Sequence, residues 1–405
     1  MIPGPAPQTT LFLGRDAELG DISALIHDPL CRLLTLVGPG GIGKTRLALE
    51  AASNQPGSFS DGRYIAYLQA VPSADLLVSA IAEALEFRFQ PDDDPHDQLM
   101  AYLRHKSLLL VLDNFEHLLD GAALVGGILA SAPAVKVLVT SRERLRLQEE
   151  WVYEVRGLDY PASDSETDIE TYGAVQLFIH SARRVSPQFR LTGLCKPPVA
   201  RICRLVGGMP LGIELASAWT RALPCEEIAR EIERSLDILE SSARNASSRH
   251  RTMRAAFEPT WNRLPEEERR VFMKLSLFRG GFTREAAEAV AGATPQSLLS
   301  LVDKSLLRLD ANGRYTIHEL LRQYGEEQLN ASPPERDLAL DLHCSCYLDL
   351  LTRCAQLFVY LGQQKEALAL MKNELENMRL AWRRAVLQGR FAKMAAAGEA
   401  LWTFF

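Results

Sequence analysis

The chain is short of several things, and each shortage closes off a class of protein. Of its 45 basic residues only 9 are lysine and 36 are arginine, and 51 acidic residues leave a net charge of −6. A surface built to hold a nucleic-acid backbone needs a basic excess, so this balance argues against a general phosphate-backbone binder. No uncharged apolar run reaches the ~20 residues that a bilayer demands. The longest neutral stretch, 121–135, is interrupted by Ser131 and Pro133. The start, Met1-Ile-Pro-Gly-Pro-Ala-Pro-Gln, has neither a basic end nor an apolar core, so nothing marks it for export and a cytoplasmic location is expected. The seven cysteines (31, 195, 203, 225, 344, 346 and 354) are odd in number and lack C-x-x-C spacing. That predicts reduced core thiols and no metal cage.

What is present is ordinary for a folded protein: 405 residues, 47% hydrophobic and 24% charged, enough for roughly two to four domains. Residues 1–10 are rich in proline and read as a tail or linker. Short apolar runs follow at 33–37, 64–68, 108–112 and 135–139, with a weaker one at 151–155. None alternates, as expected of strands covered on both faces. Between them 45–53, 74–87 and 97–104 read as helices. Strands separated by helices predict a parallel sheet in an α/β domain spanning 11–157. The acidic stretch 159–171 reads as a linker, after which Val175, Phe178, Ile179 and Ala182, then Leu211, Leu215 and Ala218, recur at helical spacing. A helical domain over 158–242 is expected, closed by the polar stretch 241–251.

The third block has a more particular order. Pro265 with three glutamates opens a helix ending near Phe278, Thr283 caps another that Gly292 closes, and Thr294-Pro295 starts a third running to about Ser305. Runs 306–309 and 314–317, joined through Asp310-Ala-Asn312-Gly313, form a hairpin. Three helices and a hairpin predict a winged-helix domain over 243–330. Beyond Pro333-Pro334 the pattern is helical, and Leu361-Gly362 followed by Ala367 resembles the turn of a tetratricopeptide-like unit, the start of a repeat or sensor region over 335–405. The apolar end at 401–405 has no polar cap and predicts a longer natural chain.

The chemistry centres on Gly38-Pro39-Gly40-Gly41-Ile42-Gly43-Lys44-Thr45, a match to G-x-x-x-x-G-K-[ST]. Its glycines let successive N–H groups point at phosphate oxygens, and the helix behind adds its positive end. Lys44 reaches the β- and γ-phosphates of ATP, Thr45 ligates Mg²⁺, and Arg46 follows in the helix. The run Ser107-Leu-Leu-Leu-Val-Leu-Asp113 supplies the acid that holds the metal through water. Asn114 stands where many such ATPases carry a second acid, so hydrolysis is expected to be slow, and Glu116 is a candidate substitute whose direction the sequence leaves open. Thr140-Ser141-Arg142 closes the fourth strand, where Arg142 is placed to touch a γ-phosphate.

Taken together, Phe12-Leu13-Gly14-Arg15 with Glu18, the phosphate loop, Asp113-Asn114, Thr140-Ser141-Arg142, Gly207-Gly208-Met209-Pro210-Leu211 and Ile317-His318-Glu319 resemble, in that order, the STAND class of signal-transduction ATPases with an NB-ARC-type core. The resemblance covers about 11–330. It implies a nucleotide-binding α/β domain, a small helical domain, a winged helix and a repeat sensor. It further implies that Phe12, Gly14 and Arg15 border adenine and ribose, that Pro210 packs on the adenine, and that His318 reaches the β-phosphate of ADP and locks a closed state. Glu319, where the family often has Asp, keeps the charge. The expected protein is an ATP/ADP switch and slow ATPase, held closed by ADP. ATP binding would assemble it into a homo-oligomer, and an activating ligand or protein would be sensed by the C-terminal helices. The alternative is a DNA-binding regulator using the winged helix. Its candidate recognition helix, 295–306, carries one acid, one base and several leucines, and reads as buried, so direct nucleic-acid binding is not expected. A motor or metabolic kinase with continuous turnover fits less well, lacking a second acid and a substrate constellation.

Overall fold

A computed structural model describes residues 12–55, 58–91, 93–239, 253–359 and 363–404. The expected tail 1–10, the polar stretch 241–251 and the turn at Leu361-Gly362 lie outside them. The chain divides into two compact units, Met1–Phe257 and Glu258–Phe405.

In the first unit α1 (Asp16–His27) precedes β1 (Leu33–Val37), whose five residues are all buried. Then follow α2 (Lys44–Ser53), β2 (Gly62–Tyr67), α3 (Leu77–Ala84), α4 (Pro95–Leu103), β3 (Leu108–Asp113), α5 (Ala122–Ser131), β4 (Lys136–Ser141) and β5 (Glu150–Glu154). The five strands form one sheet in the order β2-β3-β4-β1-β5, every pair parallel. Strands β1 and β3 are buried along their whole length because helices cover both faces, which is why their sequences are apolar without alternation. One apolar cluster joins Leu108, Leu110 and Leu112 of β3 to Leu77 and Ile81 of α3 and Val125 and Ile128 of α5. At roughly 1.5–3 kcal/mol per fully buried Leu or Ile side chain, this cluster is a principal stabiliser of the layer.

The expected helix over 74–87 is shorter. A 3₁₀ turn at Ala74–Leu76 leads into α3, which stops at Ala84. Glu86 takes the left-handed conformation (φ 56°), with its N–H on the Glu83 carbonyl at 3.0 Å and the Phe87 N–H on Ala82 at 2.9 Å. That is a Schellman stop, reached here without glycine and so with no sequence signal. Asp94 caps α4 by accepting from His96 and Asp97 amides, with Pro95 in the first turn, and starts it two residues before the expected 97.

Helices α6 (Gly173–Val185), α7 (Lys196–Leu205), α8 (Pro210–Ala218) and α9 (Cys225–Arg234) follow. Of the predicted stripe, Val175, Phe178 and Ala182 are buried and Ile179 is half-buried. Helix α10 (Met253–Arg263) runs through the division between the units.

In the second unit come α11 (Glu266–Leu275), α12 (Arg284–Ala291) and α13 (Pro295–Asp303). The Thr283 hydroxyl caps α12, Gly292 closes it at φ 65°, and a Thr294–Ser297 capping box opens α13. Strands β6 (Arg308–Leu309) and β7 (Tyr315–Thr316) pair antiparallel, and Phe282 adds a bridge to Tyr315. After α14 (Glu319–Asn330) the long helices α15 (Pro333–Val359), α16 (Gln364–Leu387) and α17 (Phe391–Phe404) pack together. A buried polar knot ties α16 to the hairpin. Glu374 pairs with Arg314 and accepts from Tyr347 and Asn377, while Asn377 donates to the Gly281 carbonyl at 2.9 Å and accepts from the Arg279 amide at 2.7 Å. All seven cysteines are free. No described helix is long and apolar enough to cross a membrane.

Candidate functional site

Sheet order decides which loops meet. The chain leaves β1 for the far edge at β2, returns through β3 and β4 to the near side of β1, and then adds β5 on its other flank. The carboxyl ends of β3, β4 and β1 therefore stand side by side, the position where ligands bind in open α/β sheets. Asp113 ends β3, Thr140 and Ser141 end β4, and the loop 38–43 leaves β1.

Gly41 and Gly43 hold φ of 83° and 94°, and Gly43 is the N-cap of α2, so the loop curls into a helix start. Gly40 is fixed by crowding: a β-carbon there would overlap the Ala256 carbonyl oxygen and stand 3.1 Å from Arg142 Nη2. Lys44 Nζ donates to the Gly38 and Pro39 carbonyls at 2.7 and 3.1 Å. Burial pulls its pKa down to about 8, against the Glu116 carboxylate, which favours the charged form.

Two hydroxyls converge on one carboxylate oxygen. Thr45 Oγ1 and Thr140 Oγ1 donate to Asp113 Oδ1 at 2.7 and 2.6 Å. Burial raises the Asp113 pKa, and these two bonds oppose the rise. A hydroxyl and a carboxylate in contact are the hard oxygen donors that Mg²⁺ takes, so the residues present fit that ion.

Asn114 is left-handed (φ 70°), and its amide donates to Thr140 Oγ1 at 2.9 Å. The chain turns there into a 3₁₀ segment, Phe115–His117, which carries Glu116 back among the site residues, 3% exposed. Arg142 Nε donates to Glu116 Oε1 at 3.0 Å, and Nη1 donates to the Ala256 carbonyl at 2.7 Å. Burial acts to raise the Glu116 pKa, but Lys44 and Arg142 prevail and hold it below the usual carboxylate range. The direction of Glu116 and the role of Thr140 were not legible in the sequence; the left-handed turn at Asn114 sets the first, and the strand register sets the second.

The flank is built by the other expected residues. Buried Arg15 donates to the Ile42 and Arg156 carbonyls at 2.8 and 2.9 Å and pairs with Glu18 at 2.9 Å. Gly14 (φ 66°) lies against the Gly173 backbone, and the Arg46 guanidinium stands 5.6 Å from the Phe12 ring centre. Pro210 opens α8 after left-handed Gly207 and Gly208, and the Leu211 amide donates to the Gly41 carbonyl at 3.2 Å. The first unit thus gathers Phe12, Gly14, Arg15, Gly38, Pro39, Gly40, Gly41, Ile42, Gly43, Lys44, Thr45, Arg46, Asp113, Arg142 and Pro210. His318 belongs to the second unit, where it is the N-cap of α14 and its Nδ1 accepts from the Leu320 amide at 3.3 Å.

No family model matches the chain. It is 34% identical over 336 residues to the uncharacterized protein Rv0894 of Mycobacterium tuberculosis, covering 80% of this chain and 82% of that protein. Rv0890c of the same organism, named a candidate HTH-type transcriptional regulator, is 36% identical over 312 residues, 74% of this chain but 34% of that longer protein. Among solved structures, the STAND protein PH0952 of Pyrococcus horikoshii, with a tetratricopeptide repeat sensor, superposes with a TM-score of 0.34 and 18% identity over 98% of this chain and 59% of that one.

Proposed function

The chain belongs to the family of the mycobacterial protein Rv0894, and we propose that it is a molecular switch controlled by bound ADP or ATP. The observation that carries this reading is the convergence of a curled glycine loop, a half-buried lysine folded back on that loop, and Thr45 touching Asp113. The loop amides and Lys44 hold the phosphates, and Arg15, Phe12 and Pro210 border the base and sugar. Thr45 and Asp113 hold Mg²⁺, which when bound neutralises charge developing on the transferring phosphoryl group. Hydrolysis is slow, because Asn114 replaces an acid and Glu116 is committed to Arg142. In this reading α11–α13 with β6 and β7 are a winged helix, His318 contacts the ADP β-phosphate in the resting state, and α15–α17 begin the sensor. A switch needs such differential contacts, since a ligand shifts a population only through them. ATP binding then releases the lock and promotes assembly with further copies. A cytoplasmic site of action belongs to the same reading.

A second reading, a DNA-binding regulator, draws on the name of Rv0890c. This chain matches about a third of that protein, so the activity in the name need not lie in the shared part. In α13 Leu298 and Leu301 are buried and Leu299 is exposed, a poor surface for reading base edges. Direct nucleic-acid binding is therefore the weaker proposal.

The deciding experiment is to denature the purified protein and identify any released nucleotide by mass, with ADP titrated calorimetrically in parallel. Co-purified ADP or tight ADP binding supports the switch. Protein that releases no nucleotide and shows no ADP heat refutes it.

A further inference from the structure

Arg142, just past the end of β4, places its guanidinium beside Glu116, Ala256 and Gly40. Nε donates to Glu116 at 3.0 Å, Nη1 donates to the Ala256 carbonyl at 2.7 Å, and Nη2 and Cζ stand 3.1 and 3.2 Å from where a β-carbon on Gly40 would sit. The Arg142 and Glu116 side chains are 7% and 3% exposed. The guanidinium therefore lies across the phosphate loop, one end fixed by a buried carboxylate and the other spent on a main-chain carbonyl. That carbonyl is in the first turn of α10, one residue before the first unit ends at Phe257.

Resting on the nucleotide reading above, we propose that Glu116 is a positioning residue. It aims Arg142 across Gly40, so that the guanidinium binds either the Ala256 carbonyl or the third phosphate of a bound nucleoside triphosphate, and the exchange frees the start of α10. The physical reason is acceptor charge and shape. A phosphate oxygen carries charge and its group can take a guanidinium through two parallel N–H bonds, whereas the Ala256 carbonyl is neutral and takes one. A diphosphate offers no third group, so Ala256 keeps its donor. Glu116 holds Nε in both arrangements, which leaves only the Nη end to exchange and spares the buried charge a loss of its partner. The presence or absence of one phosphoryl group is thereby passed to the segment that leads into the second unit.

The test is amide hydrogen exchange over 253–263, in the full chain, nucleotide-free, with ADP, and with a non-hydrolysable ATP analogue, while calorimetry on the same samples reports binding. Wild type is expected to be protected without nucleotide and with ADP. The analogue should speed exchange roughly five- to tenfold, the effect of one lost hydrogen bond. Arg142→Ala exchanges at the fast rate in all three conditions. Glu116→Ala does the same and loses preference for the analogue over ADP. Glu116→Gln, which keeps an acceptor for Nε, restores the nucleotide response, whereas Glu116→Met, of similar size and with no such acceptor, does not, a split that a merely space-filling role would not give. Should Glu116→Ala not fold, as circular dichroism would show, Arg142→Ala and Glu116→Gln decide the matter. Wild-type exchange that ignores two nucleotides shown to bind, or Arg142→Ala with wild-type protection, overturns the proposal. If neither nucleotide binds, the switch reading falls, and the nucleotide-free comparison of wild type with Arg142→Ala still tests the Arg142–Ala256 bond by itself.

Discussion

The Thr45 hydroxyl donates to Asp113 Oδ1 at 2.7 Å, joining the start of α2 to the end of β3 across a span of 68 residues. A metal entering here would take over an oxygen pair already aligned. Asp113→Asn keeps the shape and removes the charge. Mg²⁺ affinity is expected to fall by at least about tenfold, with Mg²⁺-dependent hydrolysis lost and ADP binding in EDTA retained. Turnover assays with and without Mg²⁺ check it, and unchanged turnover would place the metal elsewhere.

Lys44 is the half-buried cation of the loop. Lys44→Ala removes the partner of the phosphates and should weaken ADP by roughly thirtyfold or more in calorimetry. Wild-type affinity in that variant would refute the phosphate-loop assignment.

The same lysine makes binding depend on pH. Its pKa in the nucleotide-free protein is drawn down to about 8 by burial. Bound phosphate favours the charged form and raises it, so binding above pH 8 must first take up a proton. ADP affinity is expected to be flat below pH 8 and to fall above it, by at most about tenfold per pH unit. Calorimetry in buffers of different ionisation enthalpy should register the proton uptake near pH 8.5, and a flat affinity from pH 7 to 10 would contradict it.

His318 has a structural duty as the N-cap of α14. His318→Ala removes the cap and any phosphate contact together, whereas His318→Asn keeps capping ability, because Asn is a strong N-cap. Both are expected to speed ADP release and to shift size-exclusion profiles toward assembly in ADP. If only the alanine variant does so, the effect belongs to the helix cap and the lock reading fails.

His343, 1% exposed, packs against the rings of Phe278 and Tyr347 with Asn377 and Arg279 nearby, and burial drives its pKa down to about 4. Its folded-state pKa lies below the unfolded value, so the unfolded chain binds the proton first. Stability is full above about pH 6.5 and declines as pH falls toward 4, by about 3 kcal/mol from this group. Denaturant titrations of wild type and His343→Phe between pH 7 and 4.5 should diverge, the variant losing less.

The sequence reached far where a signal was local. Unalternated apolar runs marked the strands, Thr283 and Gly292 marked both ends of α12, and Thr294 and Pro295 marked the start of α13, which stops at Asp303, two residues before the expected Ser305. It failed where the signal was not chemical in type. Glu86 ends a helix in a conformation usually left to glycine, and Asn114 does the same for the turn that redirects Glu116.

By itself, then, the amino-acid order determined the layers, the curl of the glycine loop and the place of Asp113 at a strand end, because periodicity and glycine freedom are properties of neighbouring residues. Only the tertiary structure decided that Thr140 shares the oxygen Thr45 uses, that Glu116 faces Arg142, and that the Ala256 carbonyl crowds Gly40. Those three facts follow from strand order and from a segment more than a hundred residues downstream, and spacing along the chain carries no record of either.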